Sequence, residues 1–168
     1  MIRRQRILFW LVHISRFGIA TLFLITAGAK LAIVKAFASN VAELLAATGF
    51  SPSRWMWPAT IGVIAIEFVT GIFLLVTRTA RAGALLAAAL LIGFSAFALY
   101  YRYGLGNVEG LECGCFGGII ASQLGLTTAL RNLVLLVPTF IVFFGYPRVR
   151  DASARDARVE LPSAAVAE

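Results

Sequence analysis

The chain has 168 residues, 60% of them hydrophobic and only 14% charged, against about 25% charged in an ordinary soluble domain. A mean hydropathy of +0.88 excludes the soluble globular and disordered classes and points to an integral membrane protein. The net charge of +7 does not indicate nucleic acid, because the arginines sit at the ends of apolar runs without a basic stripe or base-stacking module.

Residues 1–13 open with Arg3, Arg4 and Arg6 and continue into a mixed stretch. The first span is predicted over residues 15–33, with His13 and Arg16 at its interfacial entry. A cleaved signal peptide is the rival reading: a basic start, an apolar run from Phe17 to Ile25 and the small residues Ala27-Gly28-Ala29 satisfy the cleavage pattern. Residues 34–56 read as a loop region holding one short helical stretch, Ser39 to Leu45. Ser39 or Asn40 would cap it, Glu43 would close a capping box, and Gly49 through Pro52 would end it. Val41, Leu44 and Leu45 share a face there, which suits the membrane surface or the mouth of a bundle. Trp55 and Trp57 stand where interfacial tryptophans belong.

The second span is predicted over 57–77, with Pro58 tolerated in its first turn. A short basic turn, Arg78-Thr79-Ala80-Arg81, leads to the third span over 82–101. Its small residues Gly83, Ala84, Ala87, Ala88, Gly93 and Ala96 favour close helix approach, and Tyr100, Tyr101 and Tyr103 close it as an aromatic belt. A glycine-rich connection holds both cysteines, and the fourth span follows over 127–146 with Pro138 as a kink. The polar, proline-broken tail over 148–168 is expected to be disordered. The expected fold is therefore all-α, a polytopic membrane protein whose single domain over 1–147 is a four-transmembrane-helix bundle in the lipid bilayer.

Four spans put both termini on one side. That side carries Arg3, Arg4, Arg6, Arg16, Arg78, Arg81, Arg148, Arg150, Arg155 and Arg158, whereas Lys30, Lys35, Arg54, Arg102 and Arg131 lie opposite. The positive-inside rule makes the richer side cytoplasmic. The cysteine connection then faces an oxidising compartment, where disulfides persist.

Glu112-Cys113-Gly114-Cys115-Phe116-Gly117-Gly118 holds the only two cysteines of the chain. A bridge needs Cα atoms about 4.4–6.8 Å apart, so i, i+2 neighbours must bend, and Gly114 supplies the freedom. Strained or exposed disulfides are the labile or catalytic ones, and so small a ring removes little unfolded-state entropy and makes a poor staple. A redox-active Cys113/Cys115 pair is the leading reading, beside a structural bridge and a metal site. Zinc would need four ligands as a rule; Glu109 and Glu112 offer oxygens, but His13, the only histidine, belongs to the far side. The same two carboxylates disfavour a strongly nucleophilic thiolate unless Arg102 or Arg131 offsets them.

Glu67 lies mid-span, ten residues from Trp57 and ten from Thr77. An ionisable group at that depth is costly and marks a functional site by default. Its candidate partners are Arg131, one turn into the fourth span, and Lys30, near the outer end of the first, and structural pairing and proton handling stand as equal readings. Gly71, one turn further along, turns this face toward a neighbour, and Asn132 is expected to hydrogen-bond another helix.

These residues resemble the MauE/DoxX-like membrane proteins, and the methylamine-utilisation MauE branch more closely. The matching pieces are Arg16, Ala27-Gly28-Ala29-Lys30-Leu31, Glu67 with Gly71, Cys113-Gly114-Cys115-Phe116-Gly117 and Arg131-Asn132, in that order over about residues 14 to 147. The resemblance implies a four-helix protein of a bacterial-type cytoplasmic membrane, linked to maturation of a disulfide-rich periplasmic dehydrogenase subunit. It also implies a thioredoxin-like periplasmic partner and a disulfide-containing client. The family looks distantly related to quinone-linked disulfide-forming proteins, which relay electrons through two cysteine pairs. Here there is one pair, so either a bound quinone or another thiol protein would complete the exchange. Two rival functions remain: a non-catalytic assembly scaffold, and a quinone-linked oxidoreductase subunit in which Glu67 handles protons.

Overall fold

The structure is a computed structural model that describes residues 2–104 and 126–164, with side chains over 6–104 and 126–146. It comprises α1 (Ile2–Ala32), α2 (Val34–Ala47), α3 (Pro52–Leu75), α4 (Ala80–Leu99), a π-helical turn over Tyr100–Gly104, and α5 (Leu126–Ala164). Among the described residues, four stretches are long and apolar enough to cross a membrane: Arg6–Ala32, Pro52–Leu75, Ala80–Gly104 and Leu126–Tyr146. The protein is thus an all-α, multi-pass membrane protein. α1 packs on α3 and α5, and α4 packs on the same two, so the spans close into a ring with α1 facing α4 and α3 facing α5 across the axis. Phe17, Ile25, Leu31, Phe68, Leu85, Ile92, Leu133 and Val137 lie on the outer surface, where lipid tails are their natural solvent.

Several boundaries differ from the predicted ones. α1 begins well before Ser15, because Ile7 to Ile14 continue the same helix. The region expected as a loop with a short helix is mostly α2. Ser39 and Asn40, proposed as caps, lie inside it; α2 starts directly after Ile33, the single residue that separates it from α1. Val34, Phe37, Ala38, Val41, Leu44 and Leu45 recur at helical spacing, and Phe37, Ala38 and Val41 are buried. Gly49 does end the helix. Its φ of 80° lets the Gly49 N–H reach Ala46 O at 3.1 Å and the Phe50 N–H reach Leu45 O at 2.9 Å, the paired bonds of a Schellman cap. α5 continues helical through Pro147, where a disordered tail was expected. Alanine, arginine and glutamate between 151 and 160 are strong helix formers.

Close packing follows the small residues. Ala80, Gly83, Ala84 and Ala87 of α4 are buried, whereas Gly93 has nothing within 4 Å of where a Cβ would stand. At Gly83 a Cβ would lie 2.7 Å from the Leu74 nitrogen, so only glycine lets α4 fold back on the end of α3. Gly71 similarly meets Leu24 and Ala20 of α1. Around these contacts Ile19, Ala20, Phe23, Leu74, Ala84, Ala87, Leu91 and Leu136 form the main apolar core. α2 covers the opposite end: Leu44 and Ala47 pack on Ala98 and Tyr101. Gly104 and Leu126, which bracket residues 105–125, are the terminal residues of their spans at this same end, called here the loop end.

Candidate intramembrane charge site

The bundle interior is polar to an unusual degree. Arg16, Thr26, Lys30, Thr60, Glu67, Thr70, Thr128, Asn132 and Thr139 are all buried. Most of the threonines cost little, because their hydroxyls return to their own helix: Thr60 donates to Met56 O at 2.7 Å, Thr70 to Ile66 O at 2.6 Å and Thr139 to Leu135 O at 2.8 Å. The ionic groups are different, since an uncompensated charge at this depth is expensive.

Glu67 and Lys30 solve that problem together. Their side chains are 2% and 1% exposed, and Lys30 Nζ donates to Glu67 Oε1 in a salt bridge. Helix direction explains the pairing. Gly71 lies opposite Ala20 and Leu24, so in antiparallel register Glu67 is level with about Leu24, some six residues or ~9 Å short of Lys30 at 1.5 Å per residue. Side chains lean toward the N-terminus of their own helix. In antiparallel neighbours those directions oppose, so the Lys30 and Glu67 chains close the gap from both ends. The ammonium also lies 5.5 Å from the Phe37 ring centroid and 5.9 Å from that of Phe94, where ring faces favour a cation. The Thr26 hydroxyl borders the carboxylate but donates to Phe23 O at 3.0 Å. One proton serves one acceptor, and Glu67 Oε2 is left without a hydrogen-bond partner.

Of the two cations proposed for Glu67, the one on it is therefore Lys30. Arg131 is half-buried one turn into α5. The Asn132 amide nitrogen is enclosed and has no hydrogen-bond partner. Cys113 and Cys115, with Glu109 and Glu112, lie outside the described residues.

At the other end, Arg16 is buried, contrary to its expected interfacial place, with 4% exposure. Its Nε and one terminal nitrogen donate to Leu74 O and Leu75 O, the last carbonyls of α3, which have no partner within their helix. The guanidinium lies 5.2 Å from the Tyr146 ring centroid, and the Tyr146 hydroxyl donates to Thr77 O at 3.0 Å. This clasp joins α1, α5 and the α3–α4 turn. The sequence held a signal for it: in antiparallel register a cation near the start of the first span lies beside the C-terminal carbonyls of the second, where positive charge is favoured. Nothing in the sequence singled out Phe37 or Phe94.

Fold and site together define a four-helix, multi-pass membrane protein with an ion pair sealed in its interior. The family model described as "Methylamine utilisation protein MauE" matches residues 8–145, all four spans and the segment bearing the cysteines. The chain belongs to that family, which supports a MauE-like role in methylamine utilisation. Neither the curated proteins nor the solved structures include a match.

Proposed function

We propose that this protein is a membrane thiol–disulfide exchange factor that serves maturation of an extracytoplasmic protein in methylamine utilisation. The observation that carries the reading is the Cys113-Gly114-Cys115 motif within the family-matched region, in the connection between α4 and α5. That connection leaves from the end of the bundle where α2 covers the Lys30–Glu67 pair. The charge distribution along the chain favours a bacterial-type cytoplasmic membrane with both termini inside and the loop end outside.

In the proposed step a partner thiolate attacks one sulfur of the Cys113–Cys115 bond. A partner–protein disulfide forms, the internal bond breaks, and the released sulfur leaves as a thiolate that takes up a proton. A second partner thiolate then resolves the mixed disulfide, so the partner loses two electrons and the cysteine pair gains them. A thioredoxin-like protein is the fitting partner, with a disulfide-rich client behind it. Reoxidation of the pair falls to a quinone or to another disulfide. Single variants Cys113→Ser and Cys115→Ser should each be tested for trapping of a mixed disulfide with a thioredoxin-like periplasmic protein. If neither captures a partner, and the double variant still supports client maturation, the cysteines only shape the loop and the protein acts as an assembly scaffold.

A further inference from the structure

Among the described residues, the enclosed polar atoms without a hydrogen-bond partner include Glu67 Oε2, on a side chain 2% exposed, and Asn132 Nδ2, on one 3% exposed. An orphaned polar group costs about 1–3 kcal/mol, more if charged, and protein interiors usually resolve such pairs with an ordered water. Here one atom accepts and the other donates. One water can accept from Nδ2 and donate to Oε2.

The register puts both atoms in the same section of the interior. α3 and α5 run in the same direction, and the Tyr146 hydroxyl on Thr77 O sets position 146 beside 77. Thr77 lies in the turn just past Leu75, where α3 ends, so Asn132, fourteen residues before Tyr146, falls on the stretch of α5 level with the middle of α3, within about one turn of Glu67. In parallel helices the Glu67 and Asn132 side chains lean the same way, toward the loop end, and α3 faces α5 across the axis. Beyond Asn132 toward the loop end comes Thr128, fully buried in the first turn of α5.

In the other direction the interior is shut. Gly71 is pressed against Leu24 and Ala20, Leu74, Ala84, Ala87 and Leu136 fill the centre, and the Thr70 and Thr139 hydroxyls are committed to Ile66 O and Leu135 O. The groups around the pair are Lys30 and Thr26 from α1, with Phe37 of α2 and Phe94 of α4 about the ammonium; Asn132 and Arg131 of α5 are the polar groups that the register brings to this section of the interior.

We infer that Glu67 exchanges a proton with the loop end of the bundle alone, through a water held between its Oε2 and the Asn132 amide. The water passes a proton to Oε2 and regains one from the loop-end side, while Lys30 stays on Oε1 and keeps the carboxyl in place. The thiol chemistry proposed above plays no part in this path, so either can fail without the other.

The test uses the full chain in vesicles of one orientation, with a pH jump on either side and infrared detection. The Glu67 carboxyl band is the one missing from Glu67→Gln. It should rise promptly when the loop side is acidified and stay flat when only the other side is. Asn132→Leu should slow the rise by an order of magnitude or more, and Asn132→Ser, which leaves room and polarity for water, should restore it. Prompt protonation from the other side, or an unslowed rise in Asn132→Leu, overturns the inference. So does an Asn132→Ser variant as slow as Asn132→Leu.

Discussion

Replacing Lys30 by methionine should destabilise the bundle far more than replacing Lys30 and Glu67 together. With 1% and 2% exposure, solvent screens neither charge. Removing one member of a buried pair leaves the other uncompensated and costs about 3–5 kcal/mol. Replacing both by apolar residues of similar volume, Lys30→Met with Glu67→Leu, removes both desolvation costs at once and should be neutral to about 4 kcal/mol stabilising. The cycle should thus show a coupling of several kcal/mol, well above the few tenths expected of distant sites. The Phe37 and Phe94 rings would pack against the methionine, so the site need not collapse. Reversible unfolding in mixed micelles, followed by helicity and by fluorescence of the three tryptophans, gives the four stabilities. If both single variants lose less than about 1 kcal/mol and their effects add, as exposed pairs do, the pair is open to bulk solvent and the buried-pair reading is wrong.

The same unfolding assay checks three further expectations. Gly83→Ala should cost about 1–3 kcal/mol by overpacking, since its Cβ would meet the backbone of Phe73 and Leu74. Gly93→Ala, with open space around it, should be neutral or gain up to about 1 kcal/mol from helix propensity; equal losses at both sites would refute the α3–α4 contact. Arg16→Lys should lose about 1.5–3 kcal/mol, the value of a hydrogen bond to a charged group, because a single ammonium does not reproduce the fork that spans Leu74 O and Leu75 O. An Arg16→Lys variant as stable as the parent would mean that the clasp contributes nothing to stability. Tyr146→Phe keeps the ring against Arg16 but frees Thr77 O, and a loss of about 1 kcal/mol is expected.

The four spans were legible because length and hydropathy alone define them, and lipid admits few alternatives to helices. Glu67 was legible for the same reason: a carboxylate in the middle of an apolar span is costly and has to be compensated. Its partner was not. Lys30 and Arg131 both stood near the loop end by residue counting, and the choice depended on which helix neighbours α3 and on the opposed lean of side chains in antiparallel spans. α2 was misread because Ser39 and Asn40 are good caps in isolation. The apolar stripe from Val34 outweighs them when it can bury Phe37 beside Lys30. Arg16 looked interfacial because it was set beside His13 near a presumed helix start. Once α1 extends to Ile2, Arg16 is an interior position, level with the end of α3.

The two buried cations differ in a way that separates scaffold from site. Arg16 holds backbone carbonyls, acceptors that cannot ionise, through a rigid fork whose charge is permanent. Such an arrangement has no second protonation state to offer, and it sits at the shut end of the bundle among apolar contacts. Lys30 holds a carboxylate by one oxygen, and the other oxygen faces an unfilled hydrogen bond. Lysine is a point charge on a flexible stem, so it follows the carboxylate through small movements without breaking a fixed geometry. A pair needed only to tie α1 to α3 would gain from satisfying Oε2, and the Thr26 hydroxyl is near enough to attempt it. That hydroxyl is turned to Phe23 O instead. The inferred proton path would meet the pair at that second oxygen, from the end where residues 105–125 join α4 to α5.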